Sequence, residues 1–212
     1  MIITLLKKYQ PLLVSIAFAF GILIFRVKLT NSFFFIFLVW NLFLAALPYC
    51  FSQLVLYTEI KNIHWTVKYI LLGLWLLFLP NSPYIITDFI HLQSEYSTQP
   101  WLDLFIVFVF ALNGLLLGLL SMLDIHKFLQ YKFDKKTANG LIIHICILSG
   151  FGIYLGRFLR FNSWDLFTKP QMIMYKTLMS LKDFNTWAIT LAFAGLLWIL
   201  FWILKSRLIV KN

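Results

Sequence analysis

Residues 78–92 read Phe-Leu-Pro-Asn-Ser-Pro-Tyr-Ile-Ile-Thr-Asp-Phe-Ile-His-Leu. The stretch interrupts an apolar run with Pro80 and Pro83, then sets Asp88 and His91 three residues apart in a chain that uses few charges. A proline lacks the backbone N–H and crowds the preceding turn, so a helix cannot pass through this stretch unchanged. Proline also disfavours the helical region for its predecessor, which makes Leu79 and Ser82 extended or turn positions. The apolar block ahead of the prolines, residues 67–79, amounts to about 20 Å of helix, short of a hydrocarbon core of about 30 Å. The crossing then needs a second half-helix, residues 84–92, with the Pro80 to Pro83 turn in the outer part of the membrane. Non-helical backbone persists at that depth only where it is buried in protein or lines a wet cavity.

Composition supplies the membrane. With 61% hydrophobic and only 12% charged residues, the chain has too little polar surface for a soluble domain. The apolar residues fall into blocks of about 15 to 25, the length of a spanning helix, and the short alternating segments of an outer-membrane barrel are absent. Before the broken span lie residues 33–57, which hold Asn41 and a kinking Pro48, and residues 11–25, preceded by Lys7 and Lys8. The latter pattern suits a signal peptide or a first span. We read a span, because no small-residue cleavage site precedes Arg26 and the chain stays apolar to its end. After the broken span come residues 101–123, 141–159 and 186–204. The fold class is all-α: a polytopic bundle of six membrane-crossing segments, the third broken between Pro80 and Pro83, forming one domain over residues 1–212.

The net charge of +10 would suggest nucleic acid in a soluble protein. Here the basic residues sit between apolar blocks and act as topology signals, and no nucleic-acid partner follows. With the N-terminus inside, Lys61, Lys68, Lys132, Lys135, Lys136 and both basic tails are cytoplasmic, and no lysine or arginine lies between Pro80 and Pro100. The fifth connection, with Arg157, Arg160, Lys169, Lys176 and Lys182, runs against this rule. Both termini are expected in the cytoplasm, and the broken turn faces outward. Cys50 and Cys146 lie in apolar runs and give no disulfide or zinc framework.

Asp88 and His91 share a helix face. Such a pair can serve as acid and base, carry a proton, or supply two metal ligands; the plainer alternative is an interfacial histidine beside a capping aspartate. Arg157 and Arg160 are also three apart and face the same way, followed by Asn162, Ser163, Trp164 and Asp165. Two planar guanidiniums suit phosphate or carboxylate; the alternatives are an ion pair with Asp88 or Asp165, or snorkelling to headgroups. Together with Asn81, Tyr84 and Thr87, the residues Arg157, Arg160, Asn162, Trp164 and Asp165 form the expected ligand-binding set, with Asp88 and His91 as the catalytic candidates. At least one arginine should pair with an aspartate, since an unpaired charge in a partly dry cavity is costly. A metal held by Asp88, His91 and Asp103 or Asp165 would lack a second outward histidine, and no metal or cofactor is expected. Asn113 and His144 read as interhelical hydrogen bonds. The steps Gly114/Gly118 and Gly152/Gly156 read as a close approach of the fourth and fifth spans, or as a homodimer seam. Residues 170–182 read as an amphipathic helix roofing the site or as a solvated loop.

Residues 78–92, together with Gly-Arg-Phe-Leu-Arg-Phe-Asn-Ser-Trp-Asp-Leu at 156–166, resemble the signature of the bacterial membrane family catalogued as domain of unknown function 1361. Ser82 stands where that pattern has alanine and Phe161 where it has tryptophan; neither changes an ionisable group. The resemblance implies a multi-pass protein of the bacterial cytoplasmic (inner) membrane and carries no activity with it. The residues themselves point to an outward polar site for an anionic lipid headgroup or a phosphate-bearing ligand, with catalysis undecided and membrane lipids as partners. The alternatives are a small-solute or proton-coupled transporter and a scaffold for another membrane protein.

Overall fold

Six segments are long and apolar enough to cross a membrane: Gln10–Thr30, Phe34–Ile60, Trp65–Gln93, Pro100–Lys132, Lys135–Arg157 and Phe184–Arg207. The computed structural model describes residues 2–61 and 63–209, and the side chains of residues 10–61 and 63–207. Lys7, Lys8 and Lys211 lie outside the described side chains. Among the described residues the chain is helical, without strands, as expected of a multi-pass membrane protein whose backbone groups must pair within each segment.

The α-helices in chain order are α1 (Ile2–Thr30), α2 (Phe37–Ile60), α3 (Trp65–Phe78), α4 (Asn81–Tyr84), α5 (Pro100–Lys132), α6 (Lys135–Arg157), α7 (Asp165–Thr168), α8 (Pro170–Ser180) and α9 (Phe184–Ile209). They run past the apolar blocks read from the sequence, because a helix continues beyond the hydrocarbon core until something stops it. At the α5–α6 turn that stop is Asp134, whose carboxylate accepts the N–H groups of Lys136 and Thr137 at 2.9 and 3.1 Å and starts α6. Because the crossings alternate, Arg26, residues 93–101, Arg157 and Phe184 gather at one end of the bundle. Ile60, Lys132, Lys135 and Arg207 gather at the other.

The hub is α5, which packs on α1, α2, α4, α6 and α9 and buries residues around its whole circumference, from Ile106 and Val107 to Ser121 and Met122. Two apolar clusters flank it. Phe35, Leu38, Ile85, Ile106 and Phe110 fill the half that also holds α1; Trp75, Leu79, Met122, Ile142 and Phe201 fill the half that holds α6 and α9. The third span runs from one cluster to the other, leaving the second at Leu79 and joining the first at Ile85.

Its break differs from the expectation. Leu79 and Pro80 keep right-handed helical angles (φ −54°, ψ −38° and φ −56°, ψ −27°), and Ser82 lies within α4, so neither Leu79 nor Ser82 is extended. What changes is the ladder. The Ser82 N–H reaches back three residues to the Leu79 carbonyl at 3.1 Å, and Ile85–Gln93 continues as a 3-10 helix. Packing overrides the pre-proline preference here. A Cβ built on Gly118 would lie 2.5 Å from Ser82 Cβ, and one on Gly152 would lie 2.5 Å from Pro80 Cγ. Gly114 meets Ile85 and the Ser82 carbonyl in the same way, and Gly156 meets the Tyr84 ring. Both glycine steps therefore seat the broken segment between α5 and α6, where the sequence suggested contact between those two helices themselves. A dimer through either step would have to displace that segment.

Of three further expectations, the one for His144 fails. Asn113 donates to the Ser15 carbonyl of α1 at 3.4 Å, and more closely to Val109 of its own helix at 2.9 Å. His144 is exposed on α6 and bonds the Gly140 carbonyl one turn back, so it bridges no helices. α8 is a helix, with Ile173 and Ser180 turned inward and Met172, Met174 and Leu178 exposed.

Candidate functional site

Two prolines in one turn remove two N–H groups and leave carbonyls to be satisfied from elsewhere. The broken span recruits side chains for this purpose. Asn81 Nδ2 donates to the Phe78 carbonyl at 2.9 Å and to Ser163 Oγ at 3.0 Å, and Ser163 Oγ in turn donates to the Leu77 carbonyl at 3.4 Å. Ser82 Oγ donates to the Ala45 carbonyl of α2 at 3.0 Å, just before Pro48, through which α2 runs on. The connection after α6 is thus tied to the break by its serine.

On the 3-10 helix, residues three apart eclipse one another, which stacks Asp88 and His91 along one edge. Asp88 is 1% exposed and is bonded on both oxygens. Asn41 Nδ2 donates to Oδ2 at 2.7 Å, and Arg157 Nη1 donates to Oδ1 at 3.3 Å. Arg157 also donates to the Thr87 carbonyl at 2.7 Å and to the Tyr84 hydroxyl at 3.4 Å, with its guanidinium 5.6 Å from the Tyr84 ring centre. The expected arginine–aspartate pair is Arg157 with Asp88. His91 Nε2 lies 3.8 Å from Asp88 Oδ1, and its side chain is 37% exposed, with the Phe37 ring 4.8 Å away.

The two arginines do not share a helical face. α6 ends at Arg157, and the chain reverses at Arg160, whose φ of 58° is left-handed; the Phe161 N–H closes the end on the Leu155 carbonyl at 3.1 Å. Arg160 is exposed and, among the described residues, makes no ion pair. Asp165 instead holds its own loop. It accepts from the Asn162 N–H at 2.8 Å and from Thr168 Oγ1 at 3.2 Å, with Lys169 at 3.8 Å. The Asn162 N–H bond holds its carboxyl below the usual carboxylate range.

These groups surround a cavity of about 910 Å³ at the Arg157 end of the bundle. Asn81, Tyr84, Thr87 and His91 of the broken span line one side; Arg157, Arg160, Asn162 and Trp164 line the other. Asp88 sits behind Arg157 and Asn41, off the wall, and Asp165 lies under its own loop, so neither is a lining residue. The Thr87 hydroxyl is spent on the Tyr84 carbonyl at 2.7 Å. Trp40, which the sequence reading passed over, lines the rim and meets Trp164 edge to face at 6.5 Å.

Two partnerships escaped the sequence. Asn41 stood out only as a lone amide in an apolar run, and its partner is 47 residues away. Arg26 was taken as the end of the first span. It forms a fully buried pair with Asp103, Nε to Oδ1 at 2.9 Å with both side chains 0% exposed. Arg26 also donates to the Ser32 and Tyr96 carbonyls, and Ser97 donates to Asp103, so this cluster fastens the loops beside the cavity. With Asp103 and Asp165 so engaged, no three His, Cys, Asp or Glu side chains among the described residues group to hold a metal.

No curated protein and no solved structure matches the chain. A family model does, described as protein of unknown function (DUF1361), over residues 40–200. That match takes in the broken span, the hub helix and the connection after α6, and it exceeds half of the chain. The residues that build the cavity therefore fall within the family's own sequence pattern, and the chain belongs to the DUF1361 family.

Proposed function

We propose that this protein is a binding protein of the bacterial inner membrane, with both termini in the cytoplasm and the cavity open to the outer side, and that its ligand carries a phosphate or comparable anion. The observation that carries the reading is the charge balance of the cavity. Asp88 neutralises Arg157, whereas Arg160 lines the mouth, exposed and without a counter-ion among the described residues. A guanidinium there offers a planar fork of donors to an anion, and Arg157, held by Asp88, Thr87 and Tyr84, braces the wall behind it. Asn162 adds an amide donor to the lining, whereas both Asn81 N–H groups are spent on the Phe78 carbonyl and Ser163 Oγ. A transfer or hydrolysis step would fall to His91, the histidine on the cavity wall, whose Nε2 lies 3.8 Å from Asp88 Oδ1.

Glycerol 3-phosphate is a suitable probe. Purified protein in detergent should bind it, and Arg160→Gln should weaken binding about tenfold or more, the worth of a charge-assisted hydrogen bond of about 1.5 to 3 kcal/mol. Arg160→Lys should keep part of the affinity. Equal binding by wild type and Arg160→Gln would remove the site.

The nine-residue 3-10 segment favours one rival, since irregular backbone at membrane depth is a common feature of transporter sites. Uptake into liposomes that follows an imposed pH gradient and disappears in Asp88→Asn would put transport in place of binding.

A further inference from the structure

The walls of the cavity belong to two groups of helices. α2 packs on α3, α4 and α5, whereas α9 packs on α6 and α5. Yet α2 contributes Trp40 and Leu44 to the lining, and α9 contributes Ile189 and Phe193. The space between α2 and α9 is therefore a cleft between the two groups, roofed on the outer side by Leu166 and Ile173 of α7 and α8.

Depth sets the character of this cleft. Exposed Trp40, Trp101, Trp164 and Trp187 lie toward the cavity end of the bundle, and aromatic residues of this kind mark the membrane–water interface. At about 1.5 Å per residue, Leu44 lies about 6 Å deeper than Trp40, and Phe193 about 9 Å deeper than Trp187. The cavity thus grades from Arg160, Asn162 and His91 at headgroup level, through Ile189, to Leu44 and Phe193 at hydrocarbon level. An apolar lower half lined by Leu44 and Phe193 suits a hydrocarbon chain.

We infer that the ligand is a phosphate-bearing lipid taken laterally from the outer leaflet, with its phosphate at Arg160 and its chain lying in the α2–α9 cleft. This rests on the phosphate-binding reading above and adds the source and route of the ligand. The volume suits such a molecule in part only: about 910 Å³ is at the upper end of small-ligand pockets, so the remainder of a long chain would extend through the cleft into the bilayer.

The test uses full-length protein in phosphatidylcholine vesicles that contain phosphatidic acid with a photoreactive acyl chain, beside glycerol 3-phosphate binding to the same protein. The expected result is chain labelling at Leu44, Ile189 or Phe193, strongly reduced in Arg160→Gln and retained in Arg160→Lys. Labelling confined to outward positions such as Phe43 and Leu191, independent of residue 160, overturns the lateral lipid site. If glycerol 3-phosphate still binds in that case, the phosphate site stands and only its lipid source is lost. If neither probe engages the cavity, the phosphate reading fails and this inference falls with it.

Discussion

Asp88 carries the polar core of the site, and its neighbours decide what its loss would do. Both carboxylate oxygens are taken, by Asn41 and by Arg157, and the side chain is sealed from solvent. Removing one member of a buried pair strands the other, at about 3 to 5 kcal/mol. Asp88→Asn should accordingly lower the melting temperature in detergent, and adding Arg157→Gln should recover part of the loss. Recovery is partial because Arg157 also serves the Thr87 carbonyl and Tyr84. Arg160→Gln should recover nothing, since Arg160 makes no ion pair among the described residues. Recovery with Arg160→Gln in place of Arg157→Gln would show that the pairing is misassigned. The sequence named Asp88 and both arginines as possible partners. Two arginines at helical spacing are equivalent until the helix ends between them, and the left-handed turn at Arg160 breaks the tie.

At the scale of elements, the broken span is held by absent side chains as much as by present ones. Gly114 and Gly118 on α5, and Gly152 and Gly156 on α6, leave room for Ser82, Ile85, Pro80 and Tyr84. The closest approaches involve stiff atoms: Ser82 Cβ and the Pro80 ring have no rotamer that withdraws them. Gly118→Ala should therefore push the break out of place and cost about 1 to 3 kcal/mol, the usual penalty of overpacking. Gly73→Ala is the matched control. It sits in α3 with nothing within 4 Å of an added Cβ, and should leave stability unchanged or raise it by up to about 1 kcal/mol through helix propensity. Thermal melts of the two variants check the pair; similar losses in both would mean that the seat is loose.

For the whole molecule, six crossings put Gln10 and Arg207 at one end and the cavity at the other. Lys61, Lys68, Lys132, Lys135 and Lys136 lie toward the terminal end, so the positive-inside rule predicts an outward-facing cavity. A reporter fused after Gln93 should signal the outer compartment, and one fused after Lys135 the cytoplasm; the opposite pattern would turn the cavity to the cytoplasm. The class of the fold and the number of spans were legible without coordinates, because crossing a hydrocarbon core demands long apolar helices and composition records that demand directly. The same holds for the two motifs, since prolines, charges and amides are conspicuous in apolar sequence. Tertiary structure alone decided how they combine. It joined Asp88 to Asn41 and Arg157, buried Arg26 against Asp103, turned Asp165 into its own loop, and placed the glycine steps around the break. Each of these depends on distance between segments far apart in the chain. Hydropathy registers how deep a residue lies in the membrane but carries no information on which face of a helix meets which neighbour.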